Sequence, residues 1–369
     1  MLVVAAPAAS ALDESLARAR AALSLPRTAD GMQARYDAGR VLENELHARA
    51  SGCAADLALA RGLVRWAEGY DRPYRRLEDA GRRQALFAST QNCVRSRFAR
   101  TAPALPRLPD LVRAAPPRLT DAALEARLDA IGRSFAGYAA IWVHDLVAGT
   151  SAGWNTDARF PAASTVKLGV LLAALQRLRR PERSPWNYDL RAMTRWSSNL
   201  ATNLLVTRFG ASAAESALRR VGATRSTFPQ GYRVGTARAD VQEQPPLVSG
   251  RVTTARDLGR ILYVLHGCAL GNVPALRATG LDRRHCGYAL RLLLGSELRG
   301  NNVGLVRPFV PRRTPVAQKN GWLHDARHTA AIVYRPRGPR IVVVLTYAPG
   351  LRLGRARELG RRVFAALGG

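Results

Sequence analysis

Strand-type sequence stands near both ends of one long stretch of this chain, with helical sequence between. Tyr138 to Leu146 reads as a strand, Ala148-Gly149-Thr150 as a turn, and Ser151 to Asn155 as the returning strand. Far downstream, Thr329 to Tyr334 and Arg340 to Tyr347 form a second hairpin around the Pro-Arg-Gly-Pro turn at 336–339. From about residue 164 to 300 the texture is helical, and a last helix carries Leu359, Val363, Phe364 and Leu367 on one side. Strands at both ends with helices between imply an antiparallel sheet completed by both ends of the domain. The expected class is therefore α+β, with an all-helical lobe, and not a doubly wound fold.

Upstream, a helix starts at Thr120 as N-cap, with Asp121 in its first turn and Leu124, Leu128 and Ile131 on its buried face. Before it, Pro103, Pro106, Pro109, Pro116 and Pro117 crowd the segment 101–118, which suits an extended linker. Residues 12–100 read as a small helical domain, in which Leu57, Leu59, Leu63 and Trp66 recur near helical spacing. The main domain is then 119–369. Residues 1–11 are apolar and end in Ala9-Ser10-Ala11, the pattern of a signal-peptide remnant without its positive start.

Four cysteines fall two and two, Cys53 with Cys93 and Cys268 with Cys286. That split fits one disulfide per domain in an oxidising compartment, periplasmic or extracellular; four buried free thiols are the alternative. No apolar run is long enough to span a bilayer as a helix. The net charge of +29 looks like a nucleic-acid signal, but the basic residues are dispersed arginines in an Ala- and Leu-rich chain. Only Lys167 and Lys319 are lysines. Composition explains the excess, so no nucleic-acid partner is expected, and no cofactor or metal either.

Three short segments carry chemistry. In Ser164-Thr165-Val166-Lys167, a serine at a helix start has its own N–H and the positive helix end beside it. The lysine three residues on shares its face, and burial would lower the amine's pKa enough to make it a base. In Trp196-Ser197-Ser198-Asn199, a hydroxyl can relay a proton and an amide can hold a carbonyl; a helix cap at Asn199 is the plainer reading of that segment alone. In Gln318-Lys319-Asn320-Gly321-Trp322, glycine allows a strand to approach a substrate closely, and the Trp322 N–H could join that of Ser164 as an oxyanion donor.

Together and in this order, S-x-x-K, S-x-N and K-x-G resemble the penicillin-recognising serine enzymes, the class A β-lactamases and D-Ala-D-Ala peptidases. The resemblance covers residues 119–369, and Thr253-Thr254-Ala255-Arg256-Asp257-Leu258 is similar to the family's T-T-x-x-D-L helix start. It implies that Ser164 is acylated, that Lys167 is its base and that Ser197 passes a proton to the leaving nitrogen. Asn199 would bind the substrate amide, and Lys319, Asn320 and Gly321 would bind its carboxylate end. The implied substrate is a β-lactam or a related small or peptidoglycan-derived amide.

Departures accompany it. Ser198 stands where the family has Asp, and Asn320 where it has a hydroxyl residue. The family's E-x-x-x-N loop, which deacylates, has no counterpart; Asp240 and Glu243 are the acids of the corresponding segment. Two other readings stay open. One is a slow-turnover wall-binding protein of the same fold. The other is a triad hydrolase using a histidine, weakened by the absence of any G-x-S-x-G.

Overall fold

The central strands of the sheet come from sequence positions some two hundred residues apart. In a computed structural model, residues 104–229 (apart from 196 and 198), 250–296 and 300–368 are described, with a few positions between 18 and 25. The chain divides into two compact units, and the one holding Pro103–Ser184 with Asp189–Gly369 supplies the sheet and the site. The signal-like start, Cys53, Cys93 and nearly all of the expected N-terminal helical domain lie outside the described residues.

In chain order the elements are β1 (Leu119–Thr120), α1 (Ala122–Arg133), β2 (Tyr138–Asp145), β3 (Thr150–Trp154) and β4 (Phe160–Pro161). Then follow α2 (Lys167–Leu175), α3 (Asn187–Arg195), α4 (Asn199–Phe209), α5 (Ala211–Arg220), β5 (Val252–Thr253), α6 (Ala255–Leu270), α7 (Val273–Thr279) and α8 (Arg283–Leu294). The chain ends with β6 (Val316–Trp322), β7 (Ala326–Arg335), β8 (Gly338–Tyr347) and α9 (Leu353–Ala366). The sheet order is β1-β3-β2-β8-β7-β6, and β4 pairs only with β5 in a separate two-stranded ribbon.

Antiparallel pairing of β2 with β8, from Tyr138 opposite Tyr347 to Asp145 opposite Arg340, closes the sheet from its two ends. The architecture is the α+β one expected, for the reason given: neither hairpin can complete the sheet alone. α1 and α9 cover one face, where Leu128, Ile141, Val333, Val344, Val363 and Phe364 join one buried cluster. Each such side chain contributes roughly 1.5–3 kcal/mol on burial. Helices α6 and α8 lie on the opposite face, toward the helical lobe. One boundary differs from expectation. Asp121, not Thr120, caps α1, its Oδ1 accepting from Leu124 N at 2.9 Å, because Thr120 is taken into β1.

The Pro-rich segment forms no helix or strand over 104–118, and it is seated on the domain. Ala115 N–H donates to Leu146 O at 2.8 Å, and Arg291 Nε donates to Pro106 O at 3.1 Å. Two buried histidines reach it as well: His144 Nε2 lies 2.9 Å from Ala115 O and His266 Nε2 lies 3.0 Å from Val112 O.

Cys268 and Cys286 form the expected disulfide, with Cα atoms 5.8 Å apart, tying the end of α6 to the start of α8. Both sulfurs are fully buried. Closing this 18-residue loop contributes about 3 kcal/mol in the chain-entropy model. The double variant Cys268→Ala/Cys286→Ala should therefore lose about that much in urea unfolding, with an m value equal to or above that of the wild type because its unfolded chain is less constrained. An unchanged midpoint would show that the bond contributes nothing.

Candidate active site

The site grows from two short strands and two turns. β4 runs antiparallel to β5, with Phe160 opposite Thr253 and Pro161 opposite Val252. Ala162 N–H extends the pairing by donating to Arg251 O at 2.9 Å. The T-T-x-x-D-L segment thus does two jobs. Its first threonine pairs with the strand that leads to Ser164, and its second caps α6, Thr254 Oγ1 accepting from Asp257 N at 3.1 Å. Asp257 is buried, which pushes its carboxyl up; it accepts from Ser226 Oγ at 2.8 Å and Arg225 N at 2.9 Å.

Ser164 does not open the helix itself. Helix α2 begins at Lys167, and a tight turn precedes it: Thr165 N–H donates to Ala162 O, Lys167 N–H to Ser164 O, and Leu168 N–H to Thr165 O. These are i→i−3 bonds, the tighter winding common at helix starts. Serine and lysine still stand one turn apart, with the serine half-buried and the lysine buried. Ala163, just before the serine, sits at φ +50°, and Ser197 at φ +62°. Non-glycine residues in that region cost about 1–3 kcal/mol each and persist only where neighbours hold them, often at functional sites.

Both lysines converge on Ser197. Lys319 Nζ donates to Ser197 Oγ at 2.7 Å and to Asn320 O at 2.8 Å. Lys167 Nζ donates to Ser197 O at 2.7 Å and lies 3.5 Å from Ser197 Oγ. Burial takes both amines out of water, and the charged form suffers. Burial, with the charges of Lys319 and Arg251 nearby, pulls Lys167 well below the ordinary lysine range. Burial alone brings Lys319 down to about 7. Two amines sharing one hydroxyl in a buried setting favour one proton fewer, which is what a general base requires.

Gly321 joins the third segment to the first. A β-carbon there would meet Ser164 N at 2.9 Å and Thr165 N at 3.1 Å, so only glycine lets the strand lie this close to the serine turn. β6 is the edge strand. Leu323 N–H donates to Ala326 O and Tyr334 N–H to Pro315 O. Hydrogen-bonded pairs alternate along an antiparallel ladder, so Lys319 and Gly321 turn their backbones to β7. Trp322 therefore presents its N–H at the free edge, the geometry its expected oxyanion role needs.

Asn320 does not join the cluster. Side chains alternate along a strand, so it points to the face opposite Lys319 and Gly321. There its Nδ2 donates to Asn302 O at 2.6 Å and its Oδ1 accepts from Thr329 Oγ1 at 2.7 Å. Buried and bonded at both its amide atoms, it is placed to hold Asn302, whose Nδ2 donates to Arg195 O at 2.6 Å just before Ser197. Sequence reasoning missed that relay and missed Arg251, because both depend on contacts across long sequence separations. Asn199 begins α4. Asp240 and Glu243 lie outside the described residues. Of the described histidines, His144, His266, His285 and His328 all spend ring nitrogens on backbone carbonyls, and His324 lies beside Asp325. None of these bonds is to a serine.

Comparison with known proteins gives the family and the fold. The chain matches the family model described as "Beta-lactamase enzyme family" over residues 123–185 and 181–367. No curated protein matches it. Among solved structures it resembles PBP-A, with a TM-score of 0.54 and 18% identity over 69% of this chain and 99% of that one. It also resembles a beta-lactamase from Desulfarculus baarsii DSM 2075, with a TM-score of 0.51 and 22% identity over 67% of this chain and 98% of that one. At these identities the likeness shows the shared fold.

Proposed function

Since the chain belongs to the beta-lactamase enzyme family, we propose that it is a serine acyl-transfer hydrolase that opens a β-lactam or a related amide. The observation that carries this reading is the convergence of two buried lysines on Ser197, with Gly321 laid against the amide of Ser164. Neutral Lys167 takes the Ser164 proton as the oxygen attacks the carbonyl carbon. The Ser164 and Trp322 N–H groups receive the developing oxyanion, which in a water-poor site is the larger part of the stabilisation. Ser197, bonded to both lysines, passes a proton to the departing nitrogen. Charged Lys319 attracts the substrate carboxylate, and Asn199 holds its amide. A PBP-A variant has been solved as an acyl-enzyme complex with penicillin G, the kind of intermediate proposed here.

Export to an oxidising compartment is part of the proposal. It is supported by the buried Cys268–Cys286 bond, and no helix among the described residues is long and apolar enough to cross a membrane. A peptidoglycan-derived peptide is the second substrate class, favoured by the missing deacylation pattern. The test is covalent labelling. A fluorescent penicillin should remain attached through denaturation, on the proteolytic peptide bearing Ser164. Unlabelled protein, or label on another peptide, would overturn the reading.

A further inference from the structure

We propose that His328 is a positioning residue for the Ser164 turn, holding the Pro161 carbonyl so that Ala163 and Ser164 settle against Gly321. The inference rests on the serine-acylation reading and adds a residue to it. His328 stands on β7 directly opposite Gly321 in the ladder, on the same face as Lys319. Its side chain is buried, 1% exposed. Nε2 lies 2.7 Å from Pro161 O, and the ring meets Phe160 edge-on at 6.0 Å between centroids.

With the ring proton on Nε2, donated to Pro161 O at 2.7 Å, Nδ1 accepts from Thr346 N–H at 3.3 Å, and this tautomer serves Pro161 against the competing backbone carbonyl of Arg327. Burial lowers the imidazole to about 4, so the neutral ring with this one donor persists at neutral pH. The tether matters because β4 has only two residues and joins the main sheet through no ladder of its own. From the other side it is held by β5 and by Arg251 O. Two residues past its end comes Ala163 in its left-handed conformation, which relaxes unless both sides are fixed. Gly321 leaves the space and His328, one step across the ladder, sets how deeply the turn enters it.

Two substitutions separate the bonds. His328→Asn keeps an acceptor near the Nδ1 position for Thr346 and is too short to reach Pro161. His328→Gln restores a donor at the Nε2 reach. With benzylpenicillin as the probe, the acylation rate of His328→Asn should fall about 10- to 100-fold, as for a reacting group misplaced by about an ångström. The Gln variant should stay within about threefold of wild type. Hydrogen exchange gives a readout independent of activity: amides 162–167 should exchange faster in the Asn variant, with β7 and β8 unchanged. In the wild-type protein, imidazole nitrogen NMR should find the proton on Nε2, which covers the case that the Asn variant does not fold.

Wild-type acylation and local exchange in His328→Asn would overturn the proposal. So would exchange rising throughout β7 and β8 with no rescue by Gln, or a proton found on Nδ1. If wild-type protein takes no label at all, the acylation reading fails instead, and exchange at 162–167 alone decides whether His328 holds the turn.

Discussion

Ser164→Ala is expected to abolish covalent labelling by a β-lactam, and Lys167→Arg to slow it by at least about 10²-fold. The arginine variant is the sharper of the two. Arginine keeps donors that can reach Ser197 O but brings a larger, permanently charged group into a buried position. An unfolding curve close to wild type is the control that the variant keeps its fold. The guanidinium cannot lose its proton, however, and a base must. The pH profile adds a second check. Acylation needs neutral Lys167, so kcat/KM should fall as pH drops through the lysine's depressed pKa, which burial sets well below the ordinary range. On the proposed mechanism Lys319 acts in its charged form, and burial holds its amine at about 7. Affinity for a carboxylate-bearing substrate should therefore weaken as pH rises through that value. A Lys167→Arg protein that labels at the wild-type rate would remove the lysine from the mechanism.

The second large effect concerns release. The segment between Arg238 and Pro246 offers only Asp240 and Glu243 to activate the hydrolytic water, and general-base help is commonly worth about 10²–10⁴-fold. A chromogenic cephalosporin in stopped flow should show a burst equal to the enzyme concentration, then turnover slower than acylation by a factor in that range. Such a protein behaves as a peptidase or a slow wall-binding relative rather than as an efficient β-lactamase. Fast linear turnover that Glu243→Gln abolishes would identify the missing base and reverse the conclusion. The stability sign agrees with a site held at a cost. Lys319 has a folded pKa below its unfolded one, so the unfolded chain binds more protons between about 7 and 10.5. Stability is lost as pH falls through that window.

How far the sequence reached differs from residue to residue. Periodicity alone determined the α+β class, the terminal hairpin and the last helix, because alternation and helical spacing are local and the buried faces enforce them. Residue chemistry singled out the three segments, since the only two lysines of an arginine-rich chain fall within them. The two-and-two split of the cysteines pointed to Cys268 with Cys286, against four free thiols, and the structure joins them. Tertiary structure decided the rest. Which face of β6 carries Asn320 depends on register, and one step along a strand moved it from the expected substrate side into a relay through Asn302. That Trp322 turns its N–H to the free edge depends on which pairs of the β6–β7 ladder are bonded. His328 carries no signal in the sequence. Its partner Pro161 lies 167 residues away, and only the closing of the sheet from both ends brings that carbonyl within reach of the ring.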